Sequence, residues 1–292
     1  MKTLQFDYYM QIDYSVDIEK CNFTIKCIPK NNARQQIKDM AIDLYPETTY
    51  SEGVDGLRNQ QIYGYNEMPH HTFFFHLSGT AFTGLSDYEE EENTDLDMVF
   101  AHPYGRNKAG ETIREYYQKL MEKIPYLVVE GDGKTQAGVR HQNQKNGMNE
   151  PLHLAGICQL DLAMWMMHEF HKDFTYQPGS TNIHTTAEEA FAQGCGVCQD
   201  YAHIFTALMH LAGIPARYVT GLLIGEGASH AWVEILENGR WYGLDPTNDV
   251  EVSEDHIKLA VGRDAHDCMI NRGIMHGGAD QTQTIRVSVK EI

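Results

Sequence analysis

One thiol in this chain sits where it could do chemistry. In "QGCGVCQDYAHIFTALMHLAGIPARY" (193–218), Cys198 follows a glycine-broken loop and opens an apolar helix. A thiol in the first turn of a helix faces unpaired N–H groups and the positive end of the helix dipole, and both favour the thiolate. The same N–H groups can donate to an oxyanion formed beside the sulfur. Packing in the core as a small apolar side chain is the competing fate. Partners separate the two. "SHAWVEILENGRWYGLDP" reads as a hairpin, because Asn-Gly is a favoured type I′ turn. With Asn238 and Gly239 as its loop, Trp232 opposes Asp245 and His230 opposes Thr247. His230, Trp232, Gly243 and Asp245 then share one face, and the backbones of His230 and Asp245 are diagonal neighbours at roughly 7–8 Å. An imidazole and a carboxylate can close that gap. The set is a nucleophile, a base and a group that orients the base, the parts of covalent acyl transfer.

The thiols admit other readings. "CGVC" at a helix start suggests a redox pair, but that motif follows an apolar strand directly, and here the capped helix "TTAEEAFAQ" precedes it. A zinc site needs four ligands, and one C-x-x-C with Cys158 and Cys268 isolated supplies too few. No metal and no cofactor are expected. Cys195, three residues before Cys198, is near enough in sequence to form a reversible disulfide with it; a bystander thiol is the simpler alternative. Trp232 shares the face of His230 and would wall a substrate cleft. Trp241 has the same parity, and an aromatic core role suits both equally. Gln193 is a candidate second oxyanion donor by its nearness in sequence. "PHH" at 69–71 is expected at the surface.

These groups need elements to hold them. "LQFDYYMQIDYSV" alternates, with Leu4, Phe6, Tyr8, Met10, Ile12, Tyr14 and Val16 on one parity, as a long half-buried strand does. Cys21, Phe23, Ile25 and Cys27 repeat the pattern, and "MAIDLYP", "QQIYGYN" and "HTFFFHLSGTAF" add further strands. Residues 1–100 are therefore expected to form an N-terminal β-sandwich-like domain. The acidic run "DYEEEENTDLD" (87–97) lacks calcium-loop spacing and reads as a solvated linker. Residues 101–150 read as a linker or irregular segment with one helix at "ETIREYYQKLMEKI". From 151 to 292 helices come first, then strands. Ile157, Leu160, Met164, Met167 and His171 mark one helical stripe. "TTAEEAFAQG" is a short helix with Thr185 or Thr186 as cap, Glu188 or Glu189 as its partner and Gly194 as its stop. The helix opened by Cys198 is apolar on nearly every side, so it belongs in a domain centre. The fold class is α+β.

At 292 residues the chain can bury a sizeable core. Its net charge of −18 argues against a phosphate-backbone partner. No apolar run approaches the roughly 18 residues of a membrane span. Asp7, Asp13, Asp17 and Glu19 occupy the region where a signal peptide needs an uncharged core, so a cytoplasmic protein with reduced thiols and no membrane or nucleic-acid partner is expected.

"GVCQDYAHIFTALMHLAGIPARYVTG", "ASHAWVEI", "GRWYGLDPTND" and "HIKLAVGRDAHD" together resemble the bacterial transglutaminase-like superfamily, whose members are often described as candidate cysteine proteases. The resemblance spans about 150–292. It implies a papain-like core, in which a Cys-bearing helix packs on an antiparallel sheet, often behind an N-terminal β-rich domain. The family's nucleophile falls on Cys198, its histidine on His230 and its aspartate on Asp245. The resemblance covers protein cross-linkers, peptidases, amidases and inactive binders. Hydrolysis of a peptide or isopeptide amide in a peptide or protein substrate is the favoured expectation. Glutamine cross-linking and a non-catalytic interaction module are the alternatives.

Overall fold

The computed structural model describes residues 1–90, 98–130 and 158–292. Most of the acidic run (91–97) and the segment 131–157, with Ile157, lie outside the described residues. The chain begins with seven strands: β1 (Lys2–Ile18), β2 (Lys20–Ile25), β3 (Gln35–Tyr45), β4 (Tyr50–Val54), β5 (Gln60–Asn66), β6 (His70–Thr83) and β7 (Tyr88–Glu90). Helices α1 (Glu111–Glu130) and α2 (Gln159–Asp173) follow, then β8 (Thr175–Tyr176), α3 (Ala187–Gln193), β9 (Cys195–Gly196) and α4 (Cys198–Leu211). Strands β10 (Ala216–Leu223), β11 (Gly225–Gly227), β12 (His230–Glu237), β13 (Arg240–Asp245), β14 (Val250–Glu251), β15 (His256–Gly262), β16 (Asn271–His276) and β17 (Gln281–Glu291) complete it.

Two compact units emerge. The first holds residues 1–90, 218–231 and 252–292. A five-stranded antiparallel sheet runs β11-β17-β1-β6-β3, and a four-stranded one runs β16-β2-β5-β4. Alternation builds the core as expected: Leu4, Phe6, Tyr8 and Met10 of β1 pack with Phe23 and Ile25 of β2, Ile62 of β5, and Phe73, Phe75 and Leu77 of β6. Each large apolar side chain so buried contributes about 1.5–3 kcal/mol. Val16 departs from the pattern at 51% exposed, because the register of β1 on β6 shifts between Asp13 and Ile18. His70, expected at the surface, is buried instead: it opens β6, its Nδ1 lies 2.7 Å from the Met68 carbonyl and its Nε2 3.8 Å from Cys21 Sγ. The contiguous division near residues 100–150 does not describe the strand pairing. Residues 281–291 pair with β1 and residues 271–276 with β2, which returns the C-terminal strands to the N-terminal sheets.

The second unit holds residues 98–130 and 158–217 among the described positions, together with 232–251. Helix α4 is buried at every residue from Asp200 to Met209, as its all-round apolar pattern requires. Phe170, Phe174 and Tyr201 form one aromatic cluster with ring centroids 4.8–5.5 Å apart. The buried stripe of α2 is Leu162, Ala163, Met166, Met167 and Phe170. Leu160, Met164 and His171, expected on that stripe, are only half-buried; Phe170 and His171 both approach Tyr201, with ring centroids 5.5 and 6.2 Å away. Helix α3 starts at Thr186, whose hydroxyl accepts from the Glu189 amide while Glu189 accepts from the Thr186 amide. Glu188 serves another helix. Its carboxylate accepts from the Gly110, Thr112 and Ile113 amides and so caps the start of α1.

Candidate active site

Cys198 is the first residue of α4, half-buried and in the free thiol form. The turn that holds it has a defined construction. Gly194 ends α3 in the left-handed conformation at φ 78°, which glycine adopts without cost. Cys195 and Gly196 then form β9, paired in parallel with Thr175 and Tyr176 of β8. A Cβ on Gly196 would lie 2.6 Å from Cβ and Oδ2 of Asp200, so this position admits only glycine while Asp200 keeps its place. Asp200 Oδ2 accepts from the Val197 amide at 2.8 Å and from the Thr181 hydroxyl at 2.5 Å. The Asp200 amide in turn donates to the Val197 carbonyl. Of the four donors a helix start leaves open, two are thereby used, and among the described residues the Cys198 and Gln199 amides have no partner. This is the donor arrangement an oxyanion needs.

Asp200 was not singled out by the sequence. Among the described residues its Oδ1 has no hydrogen-bond partner, and burial raises its pKa against the lowering effect of the Thr181 and Val197 donors. The capping-box spacing to an apolar N-cap residue, Val197, was the signal that could have found it. Tyr176 was also missed. It is half exposed on β8, and burial, followed by negative charge on Cys198, raises the pKa of its phenol, so it stays a donor.

Gln193 is exposed; its Nε2 donates to the Ser180 carbonyl at 3.2 Å and to Cys195 Sγ at 3.3 Å. Cys195 is also a free thiol. Of the remaining four cysteines, burial raises the thiol pKa of Cys21, Cys27, Cys158 and Cys268.

The hairpin folds in the expected register, from Glu237 opposite Arg240 to Val233 opposite Leu244. Asn238 and Gly239 both take positive φ, at 52° and 75°, as a type I′ turn demands. Asp245 is the last residue of β13 and His230 the first of β12. Asp245 is fully buried. Its Oδ1 accepts from the Thr247 amide at 3.0 Å and the Asn248 amide at 3.2 Å, and its Oδ2 from Asn248 Nδ2 at 2.7 Å. Three neutral donors fix this carboxylate in one orientation. His230 is half-buried, and its ring centroid stands 6.2 Å from that of His256. Both tryptophans are 1% exposed. Trp241 is a core residue, edge-on to Phe100 at 5.6 Å and covered by the Arg217 guanidinium at 4.1 Å, itself ion-paired with buried Glu234. Trp232 is as deeply buried, so its ring faces protein rather than solvent.

Residues 159–246, which contain Cys198, His230 and Asp245, match the model of the transglutaminase-like superfamily. The chain carries a transglutaminase-like domain. A solved candidate cysteine protease from Cytophaga hutchinsonii aligns with 100% of this chain and 92% of its own, at a TM-score of 0.71 and 19% identity; the likeness is one of fold. An uncharacterized protein of Mycobacterium leprae is 43% identical over 112 residues, which cover 35% of this chain and 40% of the relative. A protein-glutamine gamma-glutamyltransferase of Pseudomonas aeruginosa is 30% identical over 112 residues, 32% of this chain and 17% of that protein. The chain thus matches about two-fifths of the length of its Mycobacterium relative. No helix among the described residues is long and apolar enough to cross a membrane.

Proposed function

We propose that the transglutaminase-like domain is a thiol acyl-transfer enzyme in which Cys198 is the nucleophile, His230 its base and Asp245 the group that orients the imidazole. The observation that carries this reading is the start of α4, where a half-exposed free thiol stands beside two open amide donors. The step balances simply. His230 takes the thiol proton, and sulfur adds to an amide carbonyl carbon. The oxyanion accepts from the Cys198 and Gln199 amides. His230 then returns the proton to the leaving amine, and the C–N bond breaks to give a thioester. Water resolves the thioester to an acid; a primary amine resolves it to a new amide. Hydrolysis of a peptide or isopeptide bond is the favoured outcome. The likeness to the Pseudomonas aeruginosa transferase supports amine transfer as the second reading.

The test is iodoacetamide labelling near neutral pH with peptide mass mapping. Cys198 labels ahead of the other five thiols, and His230→Ala slows it selectively. A Cys198 that labels no faster than Cys158 overturns the reading and leaves a non-catalytic interaction module. A resting Cys195–Cys198 disulfide would favour a redox protein instead. An amide screen with and without added hydroxylamine then separates released acid from hydroxamate.

A further inference from the structure

The first unit carries a second feature on its solvent side, unrelated to the thiol chemistry. Alternation along β1, β6 and β3 sends Tyr8, Met10, Phe73, Phe75 and Leu77 into the core, so polar residues belong on the opposite face. Tyr9, Tyr45 and Phe74 stand among them. The register sets Tyr9, His76 and Asp43 side by side across three strands, and Gln11, Phe74 and Tyr45 in the next row. Tyr45 stacks on Phe74 with centroids 5.6 Å apart and planes 15° from parallel, and Tyr9 closes on Phe74 at 5.7 Å. Tyr45 is 50% exposed. An open cavity of about 680 Å³ lies against Tyr9, Phe74 and His76, bounded also by Asp43, Glu47 and Tyr50. That volume falls within the roughly 300–1,000 Å³ typical of ligand sites.

The charges decide what fits. His76 lies 2.7 Å from Asp7 and 3.5 Å from Asp43. Asp43 and Glu47 are exposed carboxylates, and Glu47 makes no ion pair among the described residues. An aromatic floor under a carboxylate rim repels anions and matches a cation with a flat head or an alkyl stem. A small free amine would leave most of the cavity empty, whereas a peptide segment that carries the basic side chain occupies more of it. We propose that this groove recognises a basic peptide segment, seating an arginine or lysine side chain on Phe74 with its charge between Asp43 and Glu47. The proposal stands whether or not Cys198 is catalytic.

The test titrates the full chain with acetyl-Arg-Gly-Arg-Gly-Arg-amide, its lysine counterpart and its glutamate counterpart. The cationic peptides bind and the glutamate peptide does not. Asp43→Asn with Glu47→Gln weakens binding about ten-fold or more, and Phe74→Leu weakens it several-fold. Glu111→Gln with Glu115→Gln, an equal charge change on α1, leaves it unaltered. Tighter binding by the arginine peptide than by the lysine one supports stacking of a guanidinium; equal binding supports an ammonium above the ring. Equal weakening by the α1 pair, full affinity in Phe74→Leu, binding of the glutamate peptide, or no binding by either cationic peptide at millimolar concentration overturns the proposal. The rate of Cys198 alkylation stays constant across these variants, so failure here is distinct from failure of the thiol reading.

Discussion

Replacing Gly196 with alanine drives a methyl carbon to 2.6 Å from Cβ and Oδ2 of Asp200. Because Cβ is fixed to the backbone of α4, the aspartate cannot swing aside without moving the first turn of that helix. Two losses follow: the carboxylate leaves the Val197 amide and Thr181 hydroxyl, and the turn is overpacked. A lost helix-start hydrogen bond costs about 1 kcal/mol. Overpacking adds about 1–3 kcal/mol. The sum, roughly 2–4 kcal/mol, lowers a thermal midpoint by about 4–16 °C in a domain of this size. Tryptophan fluorescence is a clean monitor, since Trp165, Trp232 and Trp241 all belong to the second unit. The decisive comparison is a double-mutant cycle. Asp200→Gly removes the crowding Cβ together with the carboxylate and opens the space that alanine at 196 needs, so the pair is less destabilised than the sum of the singles, by about 1–3 kcal/mol. Gly194→Ala serves as a control: nothing crowds its Cβ, the cost of about 1 kcal/mol comes from its positive φ, and it adds independently to Asp200→Gly. Additive behaviour of Gly196→Ala and Asp200→Gly, or an unchanged midpoint in Gly196→Ala, refutes the steric account of this turn.

Three further outcomes are expected. Burial raises the pKa of Asp200, so its charge destabilises the fold above its folded pKa, and that cost disappears as pH falls through it. Asp200→Asn is therefore favoured over the parent at pH 7 and loses that advantage in acid, as paired melts across pH would show. Burial also acts to raise the pKa of Glu188, but the donors Thr112, Ile113 and Gly110 outweigh it and the net shift is downward. Its contribution is present above the ordinary glutamate range and lost as pH falls through the folded pKa, so Glu188→Gln lowers stability at pH 7 while narrowing its difference from the parent in acid. Asn248→Ala removes the 2.7 Å side-chain bond to Asp245, and kcat in an amide assay falls about ten-fold with KM little changed, while Asn248→Asp fails to restore it.

The sequence was most informative where a local rule decides the structure. The Asn238–Gly239 turn fixed its hairpin register to the residue, and strict alternation in β1 named six buried side chains before any coordinates. Helix α4, apolar on nearly every side, was legible as a buried helix for the same reason. Long-range choices were hidden. Nothing local separates Glu188 from Glu189 as a cap partner, because the first answers to amides 75–78 residues earlier in the chain. His70 read as polar and exposed, yet its imidazole is accommodated by the Met68 carbonyl and the Cys21 thiol. Trp241 shared the parity of His230, but parity does not report what covers a face, and Arg217 covers this one. The stripe of α2 slipped by one position because methionine and phenylalanine offer two nearly equal apolar faces.

Strand β1 lies between β6 and β17, and its eleven-residue register with β17 joins stretches of chain made far apart in time. On the ribosome, β1 and β6 can meet early, but the other edge of β1 stays open until residues 281–291 have cleared the exit tunnel. During that interval the nascent chain carries a long edge with unsatisfied backbone donors and acceptors, the kind of template that invites a neighbouring polypeptide to add a strand. The stoppage of synthesis shortly before residue 281 would thus release a product prone to self-association, even though every residue of α4 had already been made.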